Sequence, residues 1–265
     1  LEVTKIYSIE GKLGKNGGLI KKRPFQNPNH DASAAAMIGG GTIPRPGQVT
    51  LAHHGVLFLD EFPEFHKSVL EVLREPLEER QVTISRVNAT LTFPSSFMMI
   101  CAMNPCPCGW YGDPKHECRC TTQEIRRYTR KLSGPLLDRI DIHIRVPRVD
   151  YKDLSSKRKA ESSAEIRARV STARNIQLER LSKYHLFCNA QMNHALIEKF
   201  CPLTDRADEL LRMFYEKKHS SARSYDRIKK VARTIADLEG LETIDNIHIG
   251  EAIKLRNDFD LELLN

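Results

Sequence analysis

The stretch Gly55-Val56-Leu57-Phe58-Leu59-Asp60-Glu61 decides the fold, because a short apolar run ends abruptly in two adjacent carboxylates. Such a run is typical of a parallel strand covered on both faces, and open α/β sheets bind ligands at the carboxyl ends of their strands. Asp60 and Glu61 can there hold Mg²⁺ and polarise water. Alternatively, the acids favour the N-terminus of a following helix that Pro63 opens.

A second continuous apolar run, residues 97–103, ends at Asn104. We predict that it forms another strand of the same sheet. A polar amide at a strand end can orient water near a γ-phosphate, although a lone asparagine is more often a turn former. Its pairing with Asp60 and Glu61 favours a shared site.

The composition bounds the function classes. The 265 residues suffice for two domains, and 41 Lys+Arg against 34 Asp+Glu give a formal charge of +7, which permits a polyanionic partner. We expect a cytoplasmic protein with no membrane partner, because no run of about 18 apolar residues and no secretion signal occurs. The first residue is Leu1, which suggests an excised piece of a longer protein.

Four of the seven cysteines cluster as Cys106-x-Cys108 and Cys118-x-Cys120. Four thiolates are the full complement of a closed, structural zinc site. The C-x-C spacing is tighter than usual, and His116 could replace one thiolate. Free reduced cysteines are the alternative.

Residues 24–49 are rich in Pro, Gly, Asn and small side chains, so an inserted binding loop competes with disorder. Residues 69–77 have helical spacing, and we expect Pro76 to kink or end that helix near Glu75. Residues 81–93 alternate as a β-hairpin with Arg86 near its tip.

The remainder predicts an alternating strand near residues 140–144 and then helices only. Arg139 lies at the junction of turn and strand. It either pairs with Asp138 or Asp141 or presents its guanidinium to a phosphate of a neighbouring subunit. Ser221 is a predicted N-cap, which places Arg223 in the first helical turn, where a cation opposes the helix dipole.

Five segments, in order and spacing, resemble the magnesium-chelatase-like AAA+ ATPases. The cysteine element and the helix from Ser221 to Gly240 resemble its ComM-type (YifB-type) branch of competence-associated DNA motors. The five segments are residues 55–61, 81–93, 100–105, 134–141 and 221–223.

The resemblance implies ATP and Mg²⁺ as cofactors, with zinc as a structural ion. It also assigns roles to single residues. These are Asp60 as the Walker B acid that orients magnesium, Glu61 as the residue that activates water, Asn104 as sensor 1, Arg139 as the arginine finger acting in trans, Arg223 as sensor 2, and Arg227 as the fallback for sensor 2.

The implied fold is α/β: residues 1–150 are a truncated AAA+ P-loop-type core with a parallel sheet and β-hairpin insertions, and residues 151–265 are an all-helical lid domain. Residues 24–49 resemble the helix-2 insert and residues 81–93 the pre-sensor-1 hairpin, where Arg45 and Arg86 would contact DNA. The cysteine cluster spans residues 106–120. The family's Walker A region would lie upstream of Leu1.

The resemblance implies a ring, a hexamer in the full-length protein, that couples ATP hydrolysis to the movement of single-stranded or branched DNA, as in branch migration during recombination or natural transformation. Without the Walker A amides and lysine, we expect this chain alone not to hydrolyse ATP. Two rival interpretations stay open. One is the motor subunit of a magnesium chelatase, and the other is a non-enzymatic, zinc-stabilised DNA-binding module.

Overall fold

A computed structural model describes residues 1–14, 18–86, 89–147, 160–218 and 221–257. The chain divides into two compact units, one of residues 1–140 and one that begins at residue 141. The tip of the predicted hairpin and the predicted boundary at residue 150 lie outside the described residues.

The first unit alternates short strands with short helices. In chain order its elements are α1 (Glu2–Ile9), β1 (Phe25–Gln26), α2 (Ala34–Ile38), β2 (Gly39–Gly40), β3 (Arg45–Pro46), α3 (Gln48–Leu51), β4 (Val56–Leu59), a 3₁₀ turn (Phe62–Glu64), α4 (Lys67–Val72), α5 (Arg74–Glu79), β5 (Gln81–Arg86), β6 (Ala89–Pro94), β7 (Met98–Cys101), α6 (Thr122–Thr129) and α7 (Gly134–Leu137).

The central sheet has three strands in the order β1-β4-β7, and both pairings are parallel. Leu57 and Leu59 of β4 point to a fully buried face. The other face is open: Phe25 and Met98 are each 62% exposed and Ile100 is 43% exposed. The expectation of a strand covered on both faces is therefore wrong for the described residues, because no described element covers this second apolar face.

The predicted hairpin is confirmed, with β5 and β6 paired antiparallel. Residues 24–49 are not a plain loop, since they supply β1, α2 and the small β2–β3 hairpin. Gly39 has φ +104°, and a Cβ there would lie 2.3 Å from the Arg45 carbonyl oxygen and 2.7 Å from Ile84 Cδ1. The two hairpins therefore approach so closely that only glycine fits at this position.

Two predicted elements are corrected. The helix over residues 69–77 breaks at Leu73, and Pro76 lies near the start of α5, where its missing N–H costs no hydrogen bond. Residues 141–147 form no strand, although apolar side chains alternate there, because no described strand pairs with them. The segment before them, Gly134–Leu137, is a short helix with Pro135 in its first turn.

The second unit is helical, as predicted, with one isolated parallel bridge between Leu203 and Ile244. The predicted N-cap is confirmed: the Ser221 hydroxyl accepts a hydrogen bond from the Ser224 N–H, and Gly240 ends the same helix at φ 73°. Its helices are α8 (Ser163–Leu181), α9 (His194–Phe200), α10 (Asp205–Lys218), α11 (Ala222–Glu239) and α12 (Asn246–Asn257).

A buried ionic network joins α8 to α11 within this unit. The fully buried Asp237 carboxylate accepts two hydrogen bonds from Arg180, at 2.5 and 3.0 Å. It also accepts one from Arg233 Nε at 3.0 Å and one from Asn189 at 2.7 Å. Burial lowers the pKa of Arg233, whose other N–H groups donate to backbone carbonyl oxygens.

Candidate functional site

The carboxyl ends of β4 and β7 form one edge of the sheet. The Ala102 N–H donates to the Leu59 carbonyl at 2.9 Å, and the Ala102 carbonyl accepts from the Phe62 N–H at 3.0 Å. Asp60 and Glu61 lie between these two bonds, and Asn104 follows Ala102 by two residues. The structure therefore brings the three sequence-predicted residues to the same edge.

Both carboxylates at this edge are exposed. Glu61 adopts φ 51° and ψ 42°, the left-handed region, and its N–H donates to Asp60 Oδ1 at 2.9 Å. A non-glycine residue held in a sparsely populated conformation costs on the order of 1–3 kcal/mol, and such residues cluster at functional sites. Glu61 is thus a strained position directly after β4.

Sequence reasoning missed His30. Its Nδ1 lies 3.2 Å from Glu61 Oε2, and its ring meets Phe65 edge-on. The residue follows β1 by a few positions, and β1 is only two residues long, too short for an alternation pattern to reveal it. The adjacent strand β1 therefore brings a titratable group to the carboxylates.

Asn104 is held by the helix that follows the cysteines. Its backbone makes a hydrogen bond to the Tyr128 hydroxyl, while burial raises the pKa of Tyr128 to about 12. Just beyond the end of α6, Lys131 Nζ lies 2.9 Å from Glu64 Oε2. Helix α6 and the residues that follow it thereby contact the carboxylate edge at two points.

The four predicted zinc ligands, Cys106, Cys108, Cys118 and Cys120, converge, and all four sulfur atoms lie within 4.8 Å of one another. The Cys108 sulfur lies 3.4 Å from the Cys106 sulfur and 3.6 Å from the Cys118 sulfur. The sulfur atoms of Cys106 and Cys118 are 3.7 Å apart. Sulfur atoms about 2.3 Å from a tetrahedral zinc ion lie about 3.8 Å apart. The cluster therefore fits a closed zinc site.

The thiol pKa values diverge within this cluster. A hydrogen bond from the Trp110 backbone lowers the pKa of Cys108 to about 6, whereas burial raises the pKa of Cys120 to about 12. His116 is not part of the four-sulfur set; its ring stacks on Trp110 and its Nδ1 lies 3.3 Å from Asp113. Four thiolates thus fit the site better than three thiolates and an imidazole.

A second group of potential ligands, Glu2, His53 and His54, does not fit a metal. Glu2 Oε2 lies 3.3 Å from His53 Nε2 and 3.2 Å from His54 Nε2. The Ser96 N–H donates to His53 Nδ1 at 3.0 Å, so the neutral ring carries its proton on Nε2 and has no lone pair there for a cation. This group instead ties α1 to the loop before β4.

Arg139 lines a groove of about 420 Å³ with residues of α4, α5 and β5. Its guanidinium contacts Glu78 and donates to the Pro135 carbonyl at 2.6 Å. Its side chain is 13% exposed, and its Nε has no hydrogen-bond partner among the described residues. The principal ion pair thus runs to Glu78, and Asp141 pairs with Arg227 instead.

In the second unit, Arg223 is exposed in the first turn of α11. Arg227, one turn further along, lies 3.1 Å from Asp141 Oδ1. Arg227 is thus engaged in an ion pair within its unit.

The two predicted DNA contacts lie close together. Arg45 is the register partner of Gly40 in the β2–β3 hairpin. A Cβ at Gly40 would lie 3.2 Å from an Arg86 guanidinium nitrogen at the end of β5. Both arginines are exposed, so the adjoining hairpins present two cations at one place.

The chain belongs to the magnesium chelatase subunit ChlI family. The family model for magnesium chelatase subunit ChlI matches residues 1–154, and the model for the C-terminal part of that subunit matches residues 160–256. Among the described helices, none is long and apolar enough to cross a membrane.

Similar curated proteins point to one branch of this family. The chain is 46% identical to competence protein ComM of Haemophilus influenzae over 237 residues, which are 89% of this chain and 45% of that protein. It is 42% identical to the uncharacterized protein YifB of Escherichia coli over 89% of this chain and 46% of the relative. The chain thus spans about half the length of the curated relatives that it matches.

Proposed function

We propose that this chain is part of a cytoplasmic, ring-forming AAA+ ATPase that couples ATP hydrolysis to DNA strand movement, as in branch migration during recombination or natural transformation. The observation that carries the proposal is the meeting of Asp60, Glu61 and Asn104 at one carboxyl edge of a parallel sheet. A carboxylate pair beside a neutral amide suits phosphoryl transfer, which depends on positioning and charge.

In this proposal each residue has one role. Asp60 orients magnesium, since only one of its carboxylate oxygens accepts the Glu61 N–H. Glu61 activates the attacking water, and Asn104 orients that water near the γ-phosphate. When bound, Mg²⁺ neutralises charge on the phosphates, and carboxylate oxygens are the ligands that it prefers.

Arginines complete the proposed site. Arg139 serves a neighbouring subunit, and Arg223 of the helical lid reaches the nucleotide, with Arg227 as its fallback. Because Arg139 contacts Glu78 in this chain, reaching a phosphate requires that ion pair to be exchanged. A planar guanidinium suits this exchange, since carboxylates and phosphates bind it in the same bidentate manner.

A segment outside this chain completes the proposed AAA+ core. The exposed apolar face of the central sheet, with Phe25, Met98 and Ile100, supports this because such faces are normally covered in α/β proteins. That segment carries the Walker A loop in the proposal. Zinc holds the four-cysteine cluster, and the pair of Arg45 and Arg86 grips DNA in the ring.

The test is ATP hydrolysis by the full-length protein with and without branched DNA. We expect DNA to stimulate hydrolysis, and we expect Glu61→Gln to abolish hydrolysis while DNA binding persists. Unchanged biological activity of the Glu61→Gln variant would instead favour a non-enzymatic DNA-binding module.

The family name supports a second candidate, the motor subunit of a metal-inserting chelatase. A chelatase motor should hydrolyse ATP at the same rate with and without DNA. The same assay therefore separates the two candidates, and DNA-independent hydrolysis would favour the chelatase.

A further inference from the structure

Helix α6 carries arginines on the face opposite its buried side. Ile125, Tyr128 and Thr129 are buried against the first unit, whereas Arg126, Arg127 and Arg130 are exposed. Together with Lys67 at the start of α4, they line a groove of about 680 Å³. The whole lining consists of Lys67, Thr122, Gln123, Arg126, Arg127, Arg130 and Lys131.

The groove carries an excess of positive charge. Five of its seven lining residues are cationic and none is a carboxylate. Of the nearby acids, Glu124 accepts hydrogen bonds from Thr121, and Glu64 neutralises one lining cation, Lys131, at 2.9 Å. Arg126 and Arg127 lie in the last turn of α6, where a cation stabilises the helix dipole by about 0.3–1 kcal/mol, while the i and i+4 pair of Arg126 and Arg130 repels by about 0.2–0.5 kcal/mol.

Several other arginines in the described part of the chain form ion pairs. Arg74 pairs with Glu71, and Arg169 pairs with Glu161. The side chains of Arg126, Arg127 and Arg130 make no such contact in the described residues. Three adjacent guanidinium groups are thus available to an external anion.

The geometry points to this groove as a binding site for the phosphate backbone of nucleic acid. Binding there would not depend on the base sequence. A protein partner is less suited, since the aromatic anchors that accompany arginine at the hot spots of protein interfaces are absent from this lining. Guanidinium forks bind phosphate oxygens bidentately, which suits a chain of regularly spaced phosphates. The choice of nucleic acid rests on the proposed function, and the groove lies apart from the predicted contacts at Arg45 and Arg86.

The experiment measures binding of a fluorescein-labelled single-stranded 20-mer by anisotropy, without nucleotide, from 50 to 250 mM KCl. The test variant is R126Q/R127Q/R130Q. The matched control is R167Q/R174Q/R212Q, which removes the same charge from helices of the second unit. Each phosphate contact to a single strand contributes about 0.7 to the slope of log K against log salt.

We expect the slope of log K against log salt to be about two units shallower for the test variant than for the wild type. The test variant should also bind DNAs of unrelated sequence more weakly by the same factor, while the control variant keeps the wild-type slope. The variant R126K/R127K/R130K, which retains the charges, should stay close to wild type, and melting curves check that all variants fold. Equal slopes in the test and control variants would overturn the inference, as would displacement of the DNA by poly-glutamate at equal charge. The binding assay contains no ATP, so its result does not depend on hydrolysis. If DNA failed to stimulate ATP hydrolysis in the full-length protein, the proposed motor function would be refuted and the binding result would still stand.

Discussion

Replacing Asp237 by alanine should destabilise the helical unit more than any exposed change on the same helix. Asp237 accepts four hydrogen bonds while fully buried, two from Arg180, one from Arg233 and one from Asn189. Without the carboxylate, the buried Arg233 retains its charge and only backbone carbonyl acceptors. Removing one partner of a buried ion pair typically costs about 3–5 kcal/mol.

The assay is urea unfolding followed by far-ultraviolet circular dichroism, with hydrogen exchange of α11 to assign the transition to this unit. With a slope of about 1–3 kcal/mol per molar urea, a loss of about 4 kcal/mol moves the midpoint by roughly 2 M. The control is Asp226→Ala on the same helix, because Asp226 pairs at 2.9 Å with the well-exposed His194. Such a pair contributes about 0–1 kcal/mol. Equal midpoint shifts for the two variants would refute the reasoning.

Three further predictions concern the first unit. Purified protein should contain about one zinc ion per chain, and Cys106→Ser should lose it, which elemental analysis measures; a metal-free wild type would contradict this. In the full-length protein, His30→Ala should change the rate of basal ATP hydrolysis by no more than about fivefold, because the half-exposed contact with Glu61 contributes up to about 1 kcal/mol. A change beyond tenfold would show that His30 does more than make this weak contact. Burial lowers the pKa of His53 below 6.5, so its neutral form contributes stability that is present above pH 6.5 and lost as the pH falls below it. Unfolding measured from pH 5 to 8 should show this loss, and His53→Gln should remove part of it.

Strong local patterns predicted most elements. The apolar runs before Asp60 and Asn104 are neighbouring parallel strands, and the serine and glycine that flank α11 are its N-cap and its C-terminal glycine. Convergence of the cysteines followed from turn residues that let a short loop fold back. These features depend on local periodicity and capping, which a sequence displays directly.

The misses all depend on tertiary context. The alternation near Ile142 and Ile144 resembles a strand, but a strand needs a pairing partner, and both residues are largely exposed. The two-residue strand β1 leaves no periodic trace, so the contact of His30 with Glu61 went unseen. The Glu78 partner of Arg139 is distant in sequence, and no pattern in a single chain connects them.

Helix α6 links the features that sequence analysis treated as separate. Its buried Tyr128 holds the Asn104 backbone, and its exposed arginines line the cationic groove. A short helix is stiff, because its backbone hydrogen bonds and the capping box at Thr121 fix its first turn. One face of this helix therefore holds the Asn104 backbone while the opposite face presents the arginines, so the candidate site and the groove depend on the same element. Because Cys106 lies only two residues after Asn104 and is fully buried, the four-cysteine cluster restrains the chain on the other side of Asn104.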